Sequence, residues 1–182
     1  MKTIKYIAFL RGINIGGHRV SMERLRELFS DLNFVDVRSH IQTGNIFFET
    51  TETNRPLLTE RIEKHLCEAL GYEVPTFLRT VPEIERALEV APFKDLTAAQ
   101  DTRFMVTFIH KPLPEDFLLP FVSPKNDYEI VSATAGEVFS IIRIIGNSPS
   151  NPAALIEKRC QMKTTSRFYA TTAKILQAAK AV

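Results

Sequence analysis

Residues 4–29 read IKYIAFLRGINIGGHRVSMERLRELF: a strand-like run, a glycine loop and a helix-like run in one line. Residues 4–10 are apolar and rich in β-formers, the pattern of a buried strand. Beyond the loop, Ser21 is suited to N-capping, and Met22, Leu25, Leu28, Phe29 and Leu32 recur at helical spacing. Residues 34–41 (FVDVRSHI) alternate, with Val35, Val37 and Ile41 on one face, and the tight QTGN stretch leads into IFFE at 46–49 as a hairpin. A helix is predicted near 56–70 through Leu58, Ile62, Leu66 and Ala69, with Gly71 as its stop. A strand over 74–79 follows. Thr80 and Glu83 then form a capping box for a helix holding Ile84, Ala87 and Leu88.

From 92 to 101 (PFKDLTAAQD) the periodicity lapses, so the chain reads as a first subdomain over 1–92, a linker over 93–101 and a second subdomain over 102–182. In the second, Phe104, Val106 and Phe108 alternate as a strand, and a short proline-bounded helix is predicted over 114–119. Residues 128–133 and 137–145 make a second hairpin, and Asn151–Pro152 opens a helix with a cap and an N1 proline. A last helix carries Phe168, Thr171, Thr172, Ile175, Leu176 and Ala179. The element order β-α-β-β-α thus occurs twice, an internal duplication of plan without visible sequence identity. The expected class is α+β: two tandem ferredoxin-like (split β-α-β) halves, each an antiparallel sheet with helices on one face.

Composition bounds the function. The 182 residues are 45% hydrophobic and 24% charged, the balance of an ordinary soluble chain, with apolar runs no longer than a strand. The N-terminus lacks a small-residue cleavage site and Arg11 interrupts its apolar run, so no signal peptide is expected. Cys67 and Cys160 lie far apart in helix-like segments, which suits reduced thiols and a cytoplasmic location. The net charge is only +2, yet residues 151–182 hold six Lys and Arg against Glu157 alone. This basic C-terminal helix invites an anionic partner, although a solvated face with lysines near a helix C-terminus is the simpler account.

The glycine loop is the sharpest local signal. Gly12 to Gly17 has the first six positions of the P-loop pattern, but His18 and Arg19 stand where that pattern needs Lys and then Ser or Thr. The phosphate-reaching amine and the magnesium-binding hydroxyl are both missing, which argues against nucleotide hydrolysis. Two readings stay open: a glycine bend joining strand to helix, or a nest of backbone N–H groups for an anion beside Arg11, His18 and Arg19. If the first and third strands are antiparallel neighbours, RGINIGGHR lies against HIQTGN. A rim of Arg11, Asn14, Gly16, Gly17, His18, Gln42, Thr43 and Asn45 then follows, with Arg167 and Tyr169 closing it if the last helix begins nearby. Arg11 and Arg167 would be charge partners, Gln42 and Asn45 orienting donors, and His18 the proton carrier near neutral pH. A small anionic ligand, such as a phosphorylated metabolite, is the partner this rim suits; no cofactor or metal and no membrane is expected.

The stretches FLRGINIGGHRVSMERLRELF and VRSHIQTGNIFFE resemble the signature of the bacterial "domain of unknown function 1697" family, whose members carry an RGIN(V/I)GG loop and an (I/V)Q(S/T)GN(I/V) hairpin. The match is specific over about residues 4–49. It implies a tandem pair of ferredoxin-like α+β subdomains and no established activity. Three departures stand out: His18 where Lys is usual after the double glycine, GNSPSNP at 146–152 where a Gly- and Lys-bearing loop is usual, and 165–171 reading TSRFYAT where many members resemble TTRNWxT.

Other chemistries find less support. His18, His40, His65 and His110 lack partners at metal-ligand spacing, and there is no CxxC pair or GxSxG elbow. His65 reads as a surface or satisfied histidine, and Glu83 with Glu85 as a solvated helix face. The competing class is RNA binding in the manner of an RRM, which would stack bases on Tyr6 and Phe9 of the first strand and Phe47 and Phe48 of the third. TGNIFFET matches one aromatic position of the third-strand consensus, and the same rings are candidates for burial between the halves. A protein-interaction module is the third class.

Overall fold

The computed structural model describes residues 3–93, 96–145 and 150–181; residues 94–95 of the expected linker and 146–149 of the GNSPSNP loop lie outside them. Among the described residues the fold is mixed α+β, with two antiparallel sheets and five helices. The chain divides into two units, Met1–Ile84 with Ile175–Val182, and Glu85–Lys174.

The first unit runs β1 (Ile4–Leu10), α1 (Met22–Ser30), β2 (Val35–Ser39), β3 (Asn45–Thr50), α2 (Arg55–Leu70) and β4 (Thr76–Thr80), with α3 (Val81–Val90) crossing the division. Its sheet has the order β2-β3-β1-β4, every neighbouring pair antiparallel. Local chemistry sets the helix ends, at Ser21 and Gly71 as expected and at Asn54 as well. The Ser21 hydroxyl accepts the Arg24 N–H at 3.0 Å, the Asn54 side chain accepts the Leu57 N–H at 3.1 Å, and Gly71 ends α2 in the left-handed region.

Period-2 alternation in β1 sends Tyr6, Ala8 and Leu10 into one core with Ile46, Phe48 and Leu78, the α1 residues Leu25, Leu28 and Phe29, and the α2 residues Leu58, Ile62 and Leu66. Phe48 is central to it, with ring centroids 4.4 Å from Phe34, 5.5 Å from Phe29 and 5.7 Å from Tyr6. The opposite strand faces carry Ile7, Phe9, Phe47 and Phe77, and these are fully buried as well. A sheet with helices on one face and solvent on the other therefore does not describe this unit. That double burial is why residues 4–10 read as an almost continuous apolar run.

Strand β2 departs from its expected alternation. Val35 and Ile41 are exposed and only Val37 joins the core, because the register slips between Val35 and Arg38, with Asp36 at φ 49°. Such a bulge re-aims the side chains that follow it. Arg38 consequently donates from Nη1 to the carbonyls of Ala181 (2.7 Å) and Ala178 (3.4 Å), at the end of α5 (Tyr169–Lys180). A cation thus meets helix-terminal carbonyls that have no intrahelical partner.

Glu83 is not part of a solvated face. Both its carboxylate oxygens accept from Arg55 Nη2, at 2.8 and 2.9 Å, and Oε2 also accepts the Thr80 N–H at 2.7 Å. Burial alone would raise the Glu83 pKa, but the Thr80 N–H and the Arg55 guanidinium outweigh it and hold the carboxyl below its ordinary 4.5. A carboxyl depressed on folding contributes stability above its unfolded pKa and loses it as pH falls through the folded value. Denaturant unfolding should therefore show wild type more stable than Glu83→Gln at pH 6, with the gap shrinking steadily below about pH 4.5. Equal stability of the two proteins at pH 6 would remove the pair from the account.

In the second unit, β5 (Thr102–Phe108) is flanked by β8 (Glu137–Arg143) and β9 (Thr165–Phe168), with β7 (Tyr128–Ala133) and β6 (Phe121–Val122) beyond β8. The antiparallel order is β6-β7-β8-β5-β9. Leaving β6 aside, β7-β8-β5-β9 matches β2-β3-β1-β4. Helix α4 (Pro152–Cys160) opens at the expected cap, the Asn151 side chain accepting the Ala154 N–H at 3.2 Å. Its residues Ile156 and Cys160 pack with Ile109, Phe117, Ile130 and Val138.

Two expectations fail in this unit. No helix forms over 114–119; that segment makes turns and runs into β6. Its flanking prolines remove N–H donors, and six residues are too few to nucleate a helix. Phe168 ends strand β9 rather than lying in the last helix, paired with Met105 and half-exposed. The four-residue TSRF strand carries no apolar alternation that could have announced it.

Candidate functional site

The register of the first sheet brings the glycine loop and the hairpin together. Phe9 of β1 stands opposite Asn45 of β3, and one residue further the Leu10 N–H donates to the Gly44 carbonyl at 2.8 Å. The Arg11 N–H donates to Pro75 O at 2.9 Å, so the loop leaves the sheet pinned on both sides. Ile13 is buried beneath Gly44, where an added Cβ would come within 3.0 Å of Ile13 Cγ1.

Asn14 then ties the two segments. Its Oδ1 accepts the Val20 N–H at 2.9 Å, and its Nδ2 donates to the Gln42 carbonyl at 3.3 Å. The backbone between is unusual. Gly12, Asn14, Gly16 and Gly17 have φ of 80°, 60°, 60° and 91°, while Arg11, Ile13 and Ile15 do not share the positive sign. Two tight turns, Gly12–Ile15 and Ile15–His18, account for these conformations, and turns of this kind can present N–H groups to an anion. Glycine, and asparagine to a lesser degree, tolerate this region. The next N–H, that of His18, is taken by Ile15 O at 3.1 Å. Ile13 and Asn14 form a turn that directs the Ile15 N–H back to Gly12 O, and among the described residues the N–H groups of Gly12, Ile13, Asn14, Gly16 and Gly17 have no hydrogen-bond partner.

The cations Arg11 and Arg19 and the exposed ring of His18 are the chain neighbours of this loop. His18 stacks on Tyr72 at 3.8 Å between centroids. Tyr72 carries no sequence signal of a site; only the folded chain brings it there. Its hydroxyl is buried without a partner, and burial raises its pKa.

In the hairpin, Gln42 and Thr43 are exposed, whereas Asn45 is fully buried. Asn45 Nδ2 donates to Thr43 Oγ1 at 2.8 Å and to His40 O at 3.2 Å, so this residue shapes the turn from inside. Arg167 and Tyr169 belong to the second unit. Arg167 lies opposite Val106 and donates from Nη1 to Ser166 O (2.9 Å) and Thr165 Oγ1 (3.0 Å); burial lowers its pKa to about 10, which leaves it cationic at neutral pH. The Tyr169 hydroxyl donates to Leu88 O at 3.4 Å, and its ring meets Phe93 edge-on at 5.5 Å.

The four rings expected to form an RNA-stacking platform on the first sheet are closed off. Tyr6, Phe9, Phe47 and Phe48 are 2%, 0%, 2% and 0% exposed, so no base can reach their faces. Among the described residues no group of three His, Cys, Asp or Glu side chains could hold a metal ion, and no helix is long and apolar enough to cross a membrane.

The fold is similar to that of a conserved bacterial protein from Streptococcus pneumoniae, with a TM-score of 0.73 at 23% identity, over 98% of this chain and 100% of that one. No curated protein matches the chain. Residues 3–139 match the model of a family described as "Protein of unknown function (DUF1697)", and the chain belongs to that family.

Proposed function

We propose that the loop from Gly12 to Gly17 binds a small anionic ligand through its backbone. The observation that carries this reading is the set of unpartnered N–H groups at Gly12, Ile13, Asn14, Gly16 and Gly17, on a backbone rich in positive φ. Arg11, His18 and Arg19 supply positive charge next to it. Gln42 and Thr43 offer polar groups across the Asn14 bridge, and Asn45 holds the hairpin in shape. Without the Lys and hydroxyl of a P-loop, the site is suited to holding a phosphate group and not to hydrolysing a nucleotide.

The matching strand orders also support reading the two sheets as duplicated split β-α-β units, residues 1–92 and 102–182 around a linker at 93–101. In the second copy the Pro-rich segment before β7 stands where the first has α1.

Titrating the uniformly 15N-labelled protein with inorganic phosphate at constant ionic strength tests the site. Saturable amide shifts should centre on Gly12 to Gly17 with a Kd of order millimolar, and Arg11→Ala should weaken binding by about three- to tenfold. Shifts confined to other residues, or none up to about 20 mM, would discard the site; chloride at equal ionic strength controls for screening.

A further inference from the structure

Beside the N–H groups the structure exposes apolar surface that the loop does not need. Ile15, between Asn14 and Gly16, is 64% exposed, and Ile41, which precedes Gln42, is 44% exposed. A lone exposed isoleucine is unremarkable in a soluble protein. These two, however, are each the chain neighbour of a residue in the Asn14–Gln42 bridge, so both stand at the same junction of loop and hairpin. Ile41 also has a φ of 53°. A β-branched side chain is a poor occupant of the left-handed region, where glycine or asparagine would form the same turn with less strain. The turn's backbone therefore does not account for isoleucine, and its apolar surface is what the residue adds. The third member is the exposed His18 ring, backed by Tyr72 at 3.8 Å and so presented as a flat surface.

Building on the anion site of the preceding subsection, we propose that the ligand is an organic phosphomonoester with a planar, largely apolar body. The phosphate sits on the Gly12–Gly17 N–H groups, and the body packs on Ile15, Ile41 and the His18 ring. Inorganic phosphate would satisfy only the first half of the site. The chemistry asks for a ring within a few bonds of the phosphate, because the isoleucines lie one residue from the bridge that joins the two loops.

The test compares phenyl phosphate, inorganic phosphate and phenol on the labelled full chain at constant ionic strength. Phenyl phosphate should bind about tenfold more tightly than inorganic phosphate, the difference expected for burying roughly 60 Å² of apolar surface. It should also move the methyl resonances of Ile15 and Ile41, while phenol alone should bind weakly. Ile41→Asn, a residue suited to that φ, should bring the ratio of the two affinities close to one. Equal affinities in the wild type, with the Gly12–Gly17 amides moving in both titrations, would overturn the organic body and leave the anion site standing. Silence of those amides in both titrations would overturn the anion site and this inference together. Co-sedimentation with phosphatidic acid vesicles, with phenyl phosphate moving no amide, would place the phosphate on a lipid surface and overturn the small-molecule assignment.

Discussion

Gly44→Val should destabilise the protein by roughly 3–4 kcal/mol and abolish phosphate binding at the glycine loop. Two costs combine. The residue has φ 70°, where a β-branched side chain is strained by about 1–3 kcal/mol. A Cβ there would also come within 3.0 Å of Leu10 Cβ and Ile13 Cγ1, side chains that are themselves buried, and overpacking of this kind costs about 1–3 kcal/mol. The relaxation open to the chain is to push Ile13 aside, and Ile13 is the residue that seats the loop. Binding should therefore fall by more than the fraction unfolded accounts for. Urea unfolding read by circular dichroism gives the stability, and amide titration gives the binding. Gly16→Ala is the informative comparison: it lies at φ 60° with nothing within 4 Å of an added Cβ, so its stability cost should be only about 1 kcal/mol. Similar losses for the two variants would show that Gly44 is not packed against the loop as described.

Phe48→Ala should be the most damaging single truncation, about 3–5 kcal/mol, with a visibly lower Tm. Phe48 is fully buried among Tyr6, Phe29 and Phe34, which come from a strand, a helix and the turn between α1 and β2. Removing the ring opens a cavity at the point where these elements meet, and the neighbouring rings cannot all collapse into it. Phe48→Leu keeps much of the volume and should cost about half as much. If Phe48→Ala lost less than about 1 kcal/mol, the aromatic cluster would not be the centre of the first unit's core.

The residues behind both predictions differ in how visible they are in the chain. Phe48 lies in an apolar run after a turn signal, which marks a strand but leaves open whether its rings are buried or face a ligand. Gly44 reads as turn chemistry, but nothing local says that Leu10 and Ile13 stand over it. The caps at Ser21 and Asn151 were legible because each bond spans three residues. The bulge in β2 was not, because a register slip depends on what the neighbouring strand offers. Strand β9 was invisible for the same reason: four polar-rich residues become a strand only because β5 leaves an edge to pair with.

The sequence by itself determined the α+β class, the first unit's elements within a few residues, and the family. Each of these rests on spacing within one segment. Tertiary structure alone decided that the glycine loop and the QTGN hairpin are hydrogen-bonded to each other, that Tyr72 backs His18, that Asn45 is buried, and that the strand aromatics are closed to a base. Those facts depend on which distant residues share a register or a core, and the free energy that selects such pairings comes from burying surfaces contributed by several elements at once.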